Sequence, residues 1–284
     1  MLFYNIFLKF VFLINGLGAA SGLVVHKNEV YAIADNDSNL YIYNLKNNSV
    51  DRIDLNPEIS FDKINKKDKP DFESITKYGN DIYILGSGSK KNRFDLIAYN
   101  IKSKKVENLS YKELYNEFLK VSNLSEKDFN IEGVIASKRF TYLFNRGNGK
   151  SQINGIFKIH GKINDLQNKK IEFFPIQLPK LNNELTTFSD AILIKNNKVL
   201  FTATVESSST TQFDGEIKGS IIGEIDLDKM KLIHWEKISD DKKIEGLALL
   251  KKMNNKYSLY LCEDNDDDTK TSSIYNYDYI MNKK

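Results

Sequence analysis

The chain has one cysteine in 284 residues, Cys262, which excludes an internal disulfide framework and a cysteine-based metal site. Cys262 stands in the strand-like run YSLYLC, where it reads as a buried, inert thiol. Histidine is almost as scarce. His26, His160 and His234 fall in strand or turn contexts, and none has the makings of a nucleophilic dyad. No G-x-S-x-G elbow and no phosphate-binding P-loop is present. Net charge is small, +3, and the lysines are scattered over turns such as KNNKV and KKMNNK. That pattern is a solvated surface and excludes the concentrated basic patch of a nucleic-acid binder.

Long apolar runs are also missing. The strongest candidate, MLFYNIFLKFVFLINGLGAA, is interrupted by Asn5 and Lys9 and is too short and broken for a membrane span. It shares small residues at Gly18, Ala19 and Ala20 with a secretory signal, but no basic region precedes its apolar part. The reading adopted is retention in a cytoplasmic protein, with residues 3–13 forming a strand; the alternative is export with residues 1–20 as a signal peptide.

With only four prolines but 15 tyrosines and 17 phenylalanines, the composition favours strands. Five short phrases organise them: ASG at Ser21, FES at Glu73, IEG at Glu132, FSD at Ser189 and IEG at Glu245. Each opens a hydrophobic run, and they recur at intervals of roughly 52 to 59 residues. The last interval fits only when the N-terminal segment is joined to the C-terminal one, which means a ring. Each repeat reads as four strands; in the first these are SGLVV, VYAIA, LYIYNL and VDRIDL. The fifth repeat lacks its fourth strand, and residues 3–13 supply it by pairing with YNYDYI near the C-terminus. The expected fold is all-β: one domain over 1–284, a five-bladed propeller of four-stranded antiparallel blades closed by the N-terminal strand. One helix interrupts it at about 110–122. Ser110 and Glu113 form the capping-box pattern, and Leu114, Phe118 and Leu119 an apolar stripe.

In such a blade the first strand lies innermost, and the loop entering it shares a face with the loop joining strands two and three. Ser21, Glu73, Glu132, Ser189 and Glu245 are therefore expected around one mouth of the central channel. Three converging carboxylates and two hydroxyls, with no His or Cys, make a hard-cation set. A wide ring of oxygens suits Ca²⁺ better than octahedral Mg²⁺. Two other roles fit the same residues: hydrogen bonding to backbone at the channel lip, or an ion that only staples the ring.

The order Ser, Glu, Glu, Ser, Glu, one per blade, resembles the central metal ligands of the calcium-activated nucleotidases (apyrases), which are five-bladed propellers. LGSGSK at 85–90 is similar to that family's glycine-rich loop ending in lysine, NRG at 145–147 to an arginine-bearing stretch, and VES at 205–207 to its fourth-blade acidic loop. The likeness spans the whole chain but rests on spacing and a few residues. The family's Asp-Asp-Arg-Thr-Gly segment is here Asp35-Asn36-Asp37-Ser38-Asn39, and a double arginine of the third blade is reduced to Arg146. The same ASG…FE…IEG…FSD…EG frame resembles phytase-like and esterase-like bacterial propellers. The resemblance implies a nucleotide-like substrate.

The loops around the mouth carry both signs of charge. Phosphoryl hydrolysis needs a divalent cation, flanking Lys or Arg, and a carboxylate that orients water. Asp35, Glu206 and Arg146 are the candidates for catalysis, with Asp35 or Glu206 as the base. Asn36, Asp37, Ser87, Ser89, Lys90, Arg93, Asn145 and Asn148 are the candidates for substrate binding. The acidic run Glu263–Asp268 lacks EF-hand spacing. The expectation is a monomeric calcium-dependent hydrolase of phosphate esters or anhydrides, with a small phosphorylated ligand and neither nucleic acid nor membrane as partner. Its rival is a non-catalytic propeller that binds a ligand or partner protein around a structural metal.

Overall fold

The structure is a computed structural model that describes residues 8–56, 70–195, 197–206, 217–265 and 270–281. Its first strand, β1, is Lys9–Asn15. Four strands follow as blade one: β2 (Ala20–His26), β3 (Glu29–Ala34), β4 (Asn39–Asn44) and β5 (Val50–Asp54). Blade two is β6 (Phe72–Tyr78), β7 (Asp81–Gly86), β8 (Leu96–Asn100) and β9 (Val106–Asn108). A 3-10 turn at Lys112–Leu114 leads into α1 (Tyr115–Ser122). Blade three is β10 (Ile131–Ala136), β11 (Thr141–Asn145), β12 (Gly155–Ile159) and β13 (Ile171–Pro175). A two-residue ladder, β14 (Lys180–Leu181) with β15 (Glu184–Leu185), precedes blade four: β16 (Thr187–Lys195), β17 (Lys198–Glu206), β18 (Ile217–Asp226) and β19 (Lys231–Ser239). Blade five is β20 (Lys243–Met253), β21 (Lys256–Asp264) and β22 (Thr271–Ile280), with β1 as its outer strand.

Every blade is therefore a four-stranded antiparallel sheet, ordered as the chain runs in blades one to four and closed by β1 in blade five, and the five sheets form a five-bladed propeller. Innermost strands β2, β6, β10, β16 and β20 touch in a closed circle, with β20 returning to β2. Apolar side chains on both faces of each sheet fill the gaps between blades. Ile33, Ile42, Ile75, Ile84 and Tyr99 pack blade one on blade two, while Ala20, Tyr43, Cys262 and Ile274 close blade five on blade one. At that closing seam a side chain on Gly246 would come within 3.0 Å of the Gly22 Cα, so glycine is what allows the first and last inner strands to meet.

The ring closes as expected. β1 meets the YNYDYI segment at Tyr275 and Asn276 and continues past it to Thr271, presenting Phe10, Val11 and Leu13 to solvent. The expected segment's residues 3–7 lie outside the described residues. The helix exists, but without its capping box: Ser110 takes a left-handed backbone (φ 36) and no side-chain cap bond forms at the start of either helical stretch. Hydrophobic burial holds it instead, with Tyr115 and Phe118 packed edge-on against Phe94 and Phe129 between blades two and three. Cys262 is fully buried, as the strand context implied.

Candidate functional site

Each of the five residues singled out by the repeat is the extra residue of a β-bulge. The partner register skips between Ala20 and Gly22, Phe72 and Ser74, Ile131 and Gly133, Phe188 and Asp190, and Ile244 and Gly246. A bulge leaves one residue unpaired and turns its side chain out of the pleat's strict alternation. Five bulges at one level of five inner strands re-aim Ser21, Glu73, Glu132, Ser189 and Glu245 together. The repeat in the sequence is the imprint of that device.

The two serines act between blades. Ser21 Oγ donates to the carbonyl of Phe72 at 2.6 Å, and Ser189 Oγ to that of Ile244 at 2.7 Å. Each latches its own blade to the residue just before the next blade's ring glutamate. Asp190 adds a third link, its carboxylate accepting the N–H of Leu247 at 2.7 Å; burial holds this group well above the ordinary carboxylate range.

The three glutamates lie in unequal surroundings. Glu132 and Glu245 are joined by Arg146, whose Nη1 lies 3.3 Å from Glu132 Oε1 and 3.6 Å from Glu245 Oε1. The Arg146 Nη2 donates to Glu206 at 2.7 Å, and Nε donates to Thr187 at 3.2 Å. A guanidinium only 5% exposed thus ties blade three to blades four and five. Lys243, also buried, sits 2.9 Å from Asp264, 3.7 Å from Glu245 and 3.8 Å from Glu206. Burial opposes the charge on both cations, but Glu132 and Glu245 beside Arg146, and Glu245 and Asp264 beside Lys243, more than offset it and raise both.

Glu73 has no such partner: among the described residues no Lys or Arg nitrogen lies within ion-pair distance of it. Burial pushes its carboxyl well above the ordinary range, and Glu132, Asp71, Asp35 and Glu245 push it further. Burial lifts Glu132 to about 8 in spite of Arg146, and lifts Glu245 in spite of Arg146 and Lys243. Glu132 Oε1 accepts from Asn130 Nδ2 at 2.7 Å, while Oε2 accepts no hydrogen bond.

The mouth thus gathers Glu73, Glu132, Glu245, Glu206, Asp35 and Arg146 from the expected set. Ser87, Ser89 and Arg93 meet beside them on Asp71: both hydroxyls donate to Oδ2, and Arg93 Nη1 stands 2.9 Å from it. Others are used differently. Asp37 fastens its own turn through the Asn39 N–H and the Tyr41 hydroxyl. Asn145 is buried, donating to the carbonyls of Asp128 and Ile153 and accepting from the Asn130 N–H. Asn36 and Lys90 are solvent-exposed, and Asn148 reaches Asn130 only at 3.5 Å. Residues 207–216 and the Asp266–Asp268 part of the acidic run lie outside the described residues.

Sequence reasoning missed Asp71, Asn130, Thr187 and Lys243, yet a signal for them exists. Each stands two residues before a ring position, at or just ahead of the start of an inner strand. Ala19 is the apolar exception in blade one. Among the described residues no three His, Cys, Asp or Glu side chains converge as they stand into a cage for an ion. The guanidinium of Arg146 bridges two of the carboxylates that such a cage would use.

Over residues 16–278 the sequence matches a family described as "Family of unknown function (DUF6929)", and the chain belongs to that family. Strand β1 lies before the matched residues. No curated protein matches the sequence. Among solved structures, the fold is similar to the glutaminyl cyclase of Myxococcus xanthus, with a TM-score of 0.52 and 10% identity over 96% of this chain and 97% of that one. It is likewise similar to a candidate glycoside hydrolase of Parabacteroides distasonis, with a TM-score of 0.53 and 12% identity over 95% and 88%. At such identities the likeness concerns the fold alone. No helix among the described residues is long and apolar enough to cross a membrane.

Proposed function

We propose that the channel mouth is a Ca²⁺ site that serves a hydrolase of phosphate esters or anhydrides. The observation behind this is a surplus of buried carboxylate. Glu73, Glu132, Glu206, Glu245 and Asp264 surround the axis, and Arg146 and Lys243 are the cations in contact with them. A buried, uncompensated carboxylate must either take up a proton or attract a cation. The donors are all oxygen and Glu132 Oε2 accepts no hydrogen bond, so the donor chemistry suits a hard dication, which would need Arg146 to move before the glutamates close round it. Glu73, Glu132 and Glu245 would hold it, with the hydroxyls of Ser21 and Ser189 beside them. When bound, the ion would take up charge on a substrate phosphate.

The chain's own groups then divide the remaining work. Arg93, held by Asp71 and Ser89, is a fixed guanidinium for a phosphate oxygen, and exposed Lys90 stands next to it in the same loop. Glu206 is committed to Arg146 and Lys243, which leaves Asp35, close enough to act on the charge of Glu73, to orient water. Nucleotide-like substrates remain the expectation drawn from the apyrase resemblance.

A second reading has an observation of its own. Arg146 already joins three blades, as a structural centre would, which favours a non-catalytic propeller that binds a ligand or partner protein. A phosphate-release screen over nucleoside di- and triphosphates and simple phosphate esters, with Ca²⁺ and with chelator, separates the two. Hydrolysis requires calcium-dependent release that Glu132→Gln abolishes in a folded protein. No release from any substrate, with a melting temperature that Ca²⁺ still raises, selects the second reading. No response of the melting temperature to saturating Ca²⁺ sinks the ion site itself.

A further inference from the structure

Resting on that reading of the mouth as a divalent-cation site, we propose that Arg146 is the ring's built-in cation and that an incoming ion must displace it. The guanidinium uses all three of its nitrogens on the mouth: Nη1 on Glu132 and Glu245, Nη2 on Glu206, and Nε on Thr187. Glu132 and Glu245 are two of the three carboxylates that the ion would need. A guanidinium and a dication cannot both hold them at contact distance, because their like charges repel and their donor geometries differ. Glu132 is only 2% exposed, and its unused Oε2 is the point at which an ion can gain a hold before the arginine leaves.

The contacts also show where Arg146 would go. Its contact with Glu206 is the shortest, at 2.7 Å, and Glu206 ends β17 towards the loop side of the mouth, whereas the contacts to Glu132 and Glu245 are 3.3 and 3.6 Å. Release of the two ring glutamates therefore leaves the guanidinium on Glu206, where one face of it can meet an anion that arrives with the ion. Arg146 is in this sense a positioning residue: its contacts hold Glu132 and Glu245 in place while the ion is absent, and its move onto Glu206 couples ion binding to anion binding. Such coupling is reciprocal by thermodynamic necessity.

Calorimetric titration of CaCl₂ into chelator-treated protein tests this, with wild type, Arg146→Met and Arg146→Lys compared and circular dichroism confirming the fold. Methionine keeps an apolar stem of similar length and removes the competing charge. Arg146→Met is expected to bind Ca²⁺ roughly tenfold more tightly than wild type, within the usual span of coupling between sites. Its melting temperature should be lower in chelator and should rise further on calcium addition than that of wild type. Arg146→Lys, which keeps the charge but cannot span both glutamates, should fall between the two, and it decides the matter if Arg146→Met does not fold. Binding in wild type with equal or weaker binding in the folded variants overturns the displacement alone. Absence of binding in wild type and variants alike overturns the cation reading and this inference with it.

Discussion

The two sides of the channel mouth solve the same electrostatic problem in opposite ways. On the side built by blades three, four and five, the ring glutamates Glu132 and Glu245 share Arg146, and Lys243 binds Glu206 and Asp264. On the side built by blades one and two, Glu73 faces Asp35 and Asp71, and the nearby cation, Arg93, is taken by Asp71. One side carries its own counter-ions; the other leaves a buried carboxylate to be neutralised from outside. The compensated half carries the ties between blades three, four and five; under the proposed cation reading, the other half supplies the carboxylate that an ion would neutralise.

Removal of the compensating cation should have the largest effect. Arg146→Met makes the compensated side resemble the uncompensated one, leaving Glu132 and Glu245 buried without a guanidinium. Breaking a buried ion pair from one end costs about 3–5 kcal/mol. Chemical denaturation in chelator should register that loss, and the triple variant with Glu132→Gln and Glu245→Gln should recover most of it. A triple variant as unstable as Arg146→Met would mean that the arginine acts through packing and not through charge.

The opposite change on the other side should stabilise. Glu73→Gln replaces a carboxyl that burial and four neighbouring acids disfavour in its charged form, and in chelator its melting temperature near neutral pH should rise above that of wild type. The same variant should bind Ca²⁺ more weakly, so stability and affinity move in opposite directions. A loss of stability in chelator would show that Glu73 is already compensated. Smaller still are the latches: Ser21→Ala and Ser189→Ala each remove one hydroxyl-to-carbonyl bond between blades, costing about 1 kcal/mol in the same assay. Comparable losses are expected, since these bonds are alike on the two sides. A much larger loss at one serine would place the weaker seam there.

How far the sequence could be read follows from what repeats in it. The ring positions were legible because a serine or a glutamate stands at the bulge of every inner strand, and one such residue per blade leaves a period. Closure by the N-terminal strand was legible from the missing fourth strand of blade five. How far the pairing runs was not, because alternation in FVFLIN does not say where its last residues meet β22; they reach past YNYDYI to Thr271, with Phe12 stacked on Tyr43. The expected helix cap failed because Ser110 sits in a left-handed turn, where a local pattern yielded to burial of Tyr115 and Phe118. Arg146 was recognised as a mouth residue, but its partners were not. Glu132, Glu206 and Glu245 lie in three blades, and nothing local in the sequence ties one charge to another across a ring. Lys243 stood in plain view, two residues before Glu245, the place that Asp71, Asn130 and Thr187 hold in their own blades.

The dependence on pH compares the two sides within a single molecule, and there the smallest quantity is the difference between two variants. Burial raises Glu132 from an ordinary 4.5 in the unfolded chain to about 8 in the folded one. The folded state therefore binds the proton more tightly, and the stabilisation from that proton is full below pH 4.5 and lost as pH rises through about 8. Glu73 and Glu245 shift in the same direction, so chelator-treated protein should melt at progressively lower temperature from pH 5 to pH 8. The slope should not be shared equally. Arg146 and Lys243 both pull Glu245 back towards its ordinary range, while every neighbour that acts strongly on Glu73 pushes it further away. Melting curves at half-unit steps should therefore flatten more in Glu73→Gln than in Glu245→Gln, and saturating Ca²⁺ should flatten the wild-type profile by displacing the protons. Equal flattening in the two variants would mean that the charge of Arg146 and Lys243 is spread over the whole ring, and the distinction between its two sides would not survive.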